Sequence, residues 1–349
     1  MILITSPRFE EHMTPPGHPE RMERAHVFDA VASRWAERGG EIARPRAATR
    51  DELLRVHEAA YLDRIAATAG RPVMLDADTF TSPETYEIAL LAAGAAVQAA
   101  EWALAHTLPA FALVRPPGHH AEASRAMGFC VFNNVAVAAA AGLASGVQRI
   151  AIVDIDVHHG NGTQWMFYDD RRVLYVSTHQ HPFYPGTGAA DEVGIGRGVG
   201  YTLNVPLEAG ATDADYELVY RDAIVPVLDA FAPELTLVSA GFDAHERDPL
   251  ASMRVTTAGY ARVVRHLKDV ADRHGAIALV TEGGYELTAF ADCLEASFAV
   301  LDGAHVETGT LNFSASITPE KLSVPVSTAR ARRALEVVRA AQSPYWRGI

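Results

Sequence analysis

The chain is poor in several things. It has two cysteines, Cys130 and Cys293, in 349 residues. Two thiols build no disulfide framework and suit a reducing compartment, so a cytoplasmic protein is expected. No apolar run is long enough for a membrane span; the longest, such as "AVAAAAGLA", falls well short. The opening "MILITSPRFEEHM" lacks a basic segment followed by an apolar one, so no signal peptide is expected. Basic residues are outnumbered, 30 Lys and Arg against 43 Asp and Glu, giving a net charge of -13. That leaves no basic patch to neutralise phosphates, so a nucleic-acid partner is not expected, nor is a membrane. A cationic substrate is compatible with the charge. No repeat, low-complexity tract or linker interrupts the chain.

With 49% hydrophobic and 21% charged residues, the chain can bury a large core. Helical patterns alternate with short apolar strands to about residue 300. This predicts an α/β fold, one mostly parallel sheet covered by helices on both faces. Helices are expected in "HPERMERAHVFDAVASRWAERGG", in "TRDELLRVHEAAYLDRIAATAG" behind a Thr49–Glu52 capping box, and in "TTAGYARVVRHLKDVADRHG" ending at Gly275. "SPETYEIALLAAGAAVQAAEWALA" is expected to start with Ser82 as N-cap and Pro83 in the first turn. The strands are "FALVRPPG", "RIAIVDID", "RVLYVSTHQ", "TLNVPL", "LTLVSAGFD" and "AIALVTEGG". A single domain over residues 1–349 is expected, with its core at about 10–300 and a helical tail at about 305–349.

The residues just beyond the strands point to chemistry. His119 and His120 come after the first, Asp156, His158 and His159 after the second, Asp243 after a third, and Gly283, Gly284 and Tyr285 after a fourth. In open α/β sheets the ligand crevice lies beyond the carboxyl ends of the strands, so these groups converge on one rim. In an extended segment alternate residues share a face, which puts Asp154, Asp156 and His158 together. Asp156, His158 and Asp243 could then hold one metal, two carboxylates and an imidazole with a position open for water, a catalytic zinc pattern. The competing reading is structural: aspartates capping amides around a satisfied buried histidine.

"RPPGHHA", "GFCVFNN", "DIDVHHGNG", "STHQ", "FYPGTG", "SAGFDAH" and "EGGY" occur in that order. Together they resemble the zinc-dependent histone deacetylase and acetylpolyamine amidohydrolase family, and "HPERMER" resembles its opening helix. The resemblance spans about residues 10–300. It implies an arginase-like fold, eight parallel strands flanked by helices, and an amidohydrolase acting on acetylated lysine in peptides or proteins, or on small N-acyl amines. It implies one Zn2+ per chain on Asp156, His158 and Asp243. It also implies His119 and His120 as the tandem histidines, with Asp154 and Asn161 as their partners, and Tyr285 polarising the carbonyl. Gly128, Phe129 and Tyr184 would wall the acyl tunnel beside Gly283 and Gly284, and Asp78 would be the acidic rim residue. Arg21 would line an internal acetate channel. Asp154 and Ser177 would hold a structural K+ or Na+, with a second monovalent site at residues 167–173 near Tyr201.

Asn161 stands where class I deacetylases carry aspartate, so the class II and bacterial amidohydrolase branch is the better match. An uncharged partner should leave His120 neutral and basic, whereas Asp154 should favour a protonated His119. Cys130, His159, His179 and His181 have plain packing or loop readings, and the glycines of "FYPGTG" and "IGRGVG" serve turns rather than a phosphate loop. An acetylpolyamine deacetylase, a binuclear manganese ureohydrolase-like enzyme and a non-catalytic acyl-lysine binding module stay open as alternatives. The segment before Ser82 lacks the long insertion through which polyamine deacetylases close their site by dimerisation; a homo-oligomer is compatible with the sequence.

Overall fold

A computed structural model describes residues 1–303 and 327–349. The early part of the expected C-terminal tail, 305–326, lies outside the described residues. The main sheet has eight strands: β1 (Ile2–Ile4), β2 (Glu41–Ala43), β5 (Ala110–Ala112), β6 (Ile150–Asp154), β7 (Val173–Gln180), β8 (Thr202–Leu207), β9 (Leu235–Ala240) and β10 (Ala276–Thr281). Their spatial order is β2-β1-β5-β10-β9-β6-β7-β8, and every pairing is parallel. A separate antiparallel hairpin joins β3 (Val73–Asp76) to β4 (Thr79–Thr81). The two outer strands β1 and β2 have no counterpart among the expected strands because three residues carry almost no periodic signal.

Both faces of the sheet are buried, as apolar parallel strands require. On one face Ile2, Ile4, Ile150 and Ile152 meet α4 (Thr85–His106) and α5 (Asn134–Ala144). On the other, Leu3, Phe111, Ala151 and Val153 meet α1 (Glu23–Glu37), α7 (Asp213–Val219), α8 (Val225–Phe231), α9 (Thr257–His274) and α10 (Leu287–Leu301). The C-terminal helix α11 (Ala329–Gln342) joins this second layer through Ala331, Leu335 and Val338, and its Gln342 Nε2 donates to Thr202 O at 2.6 Å.

Helix α4 corrects one expectation: its 22 residues are long and apolar enough to cross a membrane by composition. Here it is packed against α5 and β10, with most of its alanines buried. It also starts later than expected, at Thr85, because the Ser82 hydroxyl is spent on Glu11 O and the Ser82 N–H donates to Thr85 Oγ1 at 2.7 Å. The capping box forms, yet the expected helix over residues 50–70 divides into α2 (Arg50–Leu53) and α3 (Ala59–Ala66). His57 breaks it by turning inward, accepting Asn133 N–H at Nε2 and facing Glu122 O with Nδ1.

Candidate active site

The four strands expected to deliver polar groups are β5, β10, β9 and β6, adjacent to one another in the middle of the sheet. The arrangement of Asp156 and His158 differs from the expected extended face. Strand β6 stops at Asp154, and Asp156–His158 form a bend in which Asp156 Oδ1 accepts His158 N–H at 2.9 Å. Asp243, just past β9, accepts Val157 N–H at 2.8 Å and so fastens the bend to the neighbouring strand.

The bend aims three groups at one point. His158 Nδ1 lies 3.1 Å from Asp156 Oδ1 and 3.2 Å from Asp243 Oδ2. Both carboxylates are fully buried, and among the described residues no lysine or arginine pairs with either. Burial alone would lower the His158 pKa, but the two carboxylates outweigh it and raise it to about 10. Burial and the Asp156 charge push the Asp243 carboxyl up. Such a cluster asks for a positive charge at its centre, and its donor set fits a divalent metal. Gly283 leaves the necessary room: a Cβ there would lie 2.2 Å from Asp243 Oδ2 and 2.7 Å from Asp156 Oδ2.

The tandem histidines stand beside this triad in opposite electrostatic states. His119 Nδ1 faces Asp154 Oδ2 at 3.0 Å. Burial would lower its pKa, but Asp154 and Asp156 raise it to about 10. Asn161 opens the short helix α6 (Asn161–Phe167) and is itself buried. His120 Nδ1 faces Asn161 Oδ1 at 2.8 Å, and Asn161 Nδ2 donates to Glu122 Oε1 at 2.9 Å. The Glu122 contact orients the amide so that its oxygen meets His120. The proton of His120 therefore sits on Nδ1 and its basic lone pair on Nε2. Burial, then the neighbouring His119 and His158, hold His120 well below its ordinary pKa.

A narrow cavity of about 100 Å3 leads to these groups, lined by Asp78, Pro117, His119, His120, Gly128, Phe129, His158, Tyr184, Leu250 and Tyr285. The Tyr184 ring stands edge-on to His120 at 5.1 Å, and the Phe129 ring stands edge-on to Tyr285 at 5.9 Å. Gly128 adopts φ +56, and a Cβ there would meet His120 Cδ2 at 2.4 Å, so glycine is required. Tyr285 is anchored by its N–H to Asp248 Oδ2 at 2.7 Å, while its hydroxyl has no hydrogen-bond partner among the described residues. Burial holds its pKa well above the ordinary value, so it remains a neutral donor.

Residues 18–301 match the histone deacetylase domain. The chain belongs to the histone deacetylase family. A probable deacetylase of Archaeoglobus fulgidus is 40% identical over 291 residues, 82% of this chain and 81% of that protein. A histone deacetylase-like amidohydrolase of Pseudomonas aeruginosa is 43% identical over 244 residues, 68% of this chain and 64% of that one. A crystal structure of the HDA15 HD domain superimposes with a TM-score of 0.89 at 35% identity, covering 99% of this chain and 94% of that chain. This deacetylase is thus a hydrolase acting on amides with the arginase-like fold that the resemblance implies.

Of the expected residues, Arg21 stands apart from the tunnel. Arg21 is exposed, ahead of the first residue of α1, and lines an open surface cavity of about 520 Å3 with Met22, Leu250 and Tyr285. Arg24, three residues further on, is the arginine that packs against the Tyr285 ring. Arg24 is fully buried, donates to Gly284 O at 2.9 Å and Glu20 Oε1 at 3.0 Å, and stacks 5.1 Å from the Tyr285 ring. The signal for it is present in the sequence: Arg24 lies on the helical stripe of Phe28, Val31 and Trp35. Leu250 lines the tunnel without having been expected to, since its loop carries no motif.

Ser177 is paired in register with Asp154, and its hydroxyl is engaged by His179 Nδ1 at 2.8 Å. Tyr201 packs against Phe231 and Trp346. Gly284, at φ +124, approaches Phe290 too closely for a side chain. His159 is spent on Thr187 and Gln164 and is no ligand, and the Cys130 thiol is buried and pushed up.

Proposed function

We propose that this deacetylase is a zinc-dependent enzyme that removes acetyl groups from N-acetyl-lysine side chains and related small N-acyl amines. The observation that carries the reading is the convergence, on one narrow tunnel, of a carboxylate-rich triad, a histidine with a free basic nitrogen and an unpartnered tyrosine hydroxyl. Asp156, His158 and Asp243 would hold zinc, which when bound lowers the pKa of water toward about 7 and polarises a carbonyl.

The chain's own groups account for the proton traffic. His120 Nε2 takes a proton from the attacking water as the water oxygen bonds to the acyl carbon. The Tyr285 hydroxyl donates to the carbonyl oxygen as negative charge develops there. His120 Nε2 then delivers its proton to the amine nitrogen as the C–N bond breaks, leaving acetic acid, which ionises in solvent, and the free amine. His119, held cationic by Asp154, offsets negative charge in the site, and Gly128, Phe129 and Tyr184 exclude water around the acyl-lysine stem.

A binuclear ureohydrolase-like site is disfavoured by His245, whose ring nitrogens face Thr257 Oγ1 and Arg247 N–H rather than a second carboxylate pair. The deciding experiment measures turnover of an acetyl-lysine peptide and of N-acetylputrescine by zinc-reconstituted enzyme, with Tyr285→Phe as control. Peptide turnover abolished in the variant supports the reading. Turnover of the polyamine alone moves the protein to the polyamine branch, and binding of the peptide without turnover makes it an acyl-lysine binding module.

A further inference from the structure

Strand β10 runs out through Thr281 into Glu282, and both side chains reach across to the segment leaving β5. Thr281 Oγ1 accepts Val114 N–H at 2.7 Å and donates to Val114 O at 2.8 Å. Glu282 Oε2 accepts Gly118 N–H at 2.6 Å and His119 N–H at 3.2 Å. Residues 113–120 form neither helix nor strand, and side-chain contacts add to a few backbone hydrogen bonds in shaping the segment. Glu20 holds Arg115, Asn134 Nδ2 holds Pro116 O at 3.1 Å, and Glu282 holds the two amides at the histidine pair.

The placement of Glu282 is costly. It is fully buried, and among the described residues no lysine or arginine side chain pairs with its carboxylate and Oε1 has no hydrogen-bond partner. A buried carboxylate oxygen left unpaired is destabilising, so a fold that keeps one has a use for it. Burial pushes the carboxyl up to about 7, against the opposing pull of His119. The backbone fixes it from two sides, since its N–H donates to Ala240 O at 3.1 Å and its carbonyl accepts Arg24 Nη2 at 2.5 Å.

We infer that Glu282 is a positioning residue: by holding the Gly118 and His119 amides it sets where the two imidazoles stand relative to the metal triad and Tyr285. Glu282 lines neither the tunnel nor the triad, so it acts through the histidines. The inference rests on the proposed roles of His119 and His120. Without the acceptor, two buried N–H groups lose their partner and the segment shifts to find another. A displacement of about 1 Å at a catalytic group typically costs on the order of a hundredfold in rate.

The test compares Glu282→Gln, which keeps the length and an acceptor oxygen, with Glu282→Met, which keeps the length alone. Glu282→Leu takes the place of the methionine variant if that one does not fold. The expected result is a kcat roughly a hundredfold lower in the methionine variant, with KM within about twofold and metal content unchanged. Glutamine should restore kcat to within about tenfold of the parent. Nitrogen-15 shifts of His120 read its position without turnover: the Nδ1–H tautomer should persist in the glutamine variant and be lost in the methionine variant. A folded methionine variant that keeps both kcat and the tautomer overturns the inference, as does glutamine performing no better than methionine. If the parent enzyme turns over no acyl-lysine, the proposed function fails, while the tautomer comparison still decides the role of Glu282.

Discussion

Replacing Asn161 by aspartate puts a carboxylate where the amide oxygen now stands, 2.8 Å from His120 Nδ1. The protein already contains the matching contact: His119 Nδ1 meets Asp154 at 3.0 Å and is raised to about 10 despite equal burial. His120, with its neutral partner, is held low instead. An opposite charge at this distance raises a histidine pKa by about one to three units. The new carboxylate would also sit against Glu122, now 2.9 Å from Asn161 Nδ2. That repulsion places the expected shift at the lower end, about one unit or somewhat more.

The sign is set by the role. A general base works in its neutral form, so raising its pKa removes activity at low pH and spares it at high pH. In kcat/KM measured from about pH 5 to about pH 9, the acid limb of the parent should lie below the ordinary histidine value of about 6.5. The limb of Asn161→Asp should lie at least about one unit higher, with roughly a tenfold deficit below it and convergence at the alkaline end. An acid limb that does not move, or a loss by the same factor at every pH, would refute the assignment of His120 as the base.

Three further outcomes are expected from the same geometry. Tyr285→Phe should fold normally and lose about a hundredfold or more in kcat, read by steady-state kinetics beside a thermal melt, because one oxyanion donor is removed. Gly283→Ala places a methyl group 2.2 Å from Asp243 Oδ2, so metal analysis of the purified variant should find the site largely empty and the enzyme inactive. His120→Ala should lower the single-turnover rate more than His119→Ala, since only His120 offers a free basic nitrogen; equal losses would argue for shared roles.

The centre of this fold was more legible than its edges. The apolar strands β6, β7, β8, β9 and β10 stand out as continuous runs bounded by polar residues, and their carboxyl ends locate the site. Local helix signals were readable where the chain decides locally, as at the Thr49–Glu52 capping box and at Gly275, which ends α9. They misled where a distant partner won. His57 is drawn into the core by Asn133 and breaks a helix, and Ser82 is taken by Glu11 before it can cap one. The alternation argument brought Asp156 and His158 together for an incomplete reason, since Asx-type bonding in a bend, not strand pleating, sets their geometry. Arg24 and Glu282 were overlooked because a charged residue in an apolar stripe reads as surface until its buried partners are seen.

The central claim, a single metal on Asp156, His158 and Asp243 driving amide hydrolysis, is tested most directly by titrating metal-free enzyme with zinc while monitoring acetyl-lysine peptide turnover. Activity rising linearly and reaching its plateau at one zinc per chain is the predicted result. A plateau at two equivalents, or turnover unaffected by removing the metal, would contradict it.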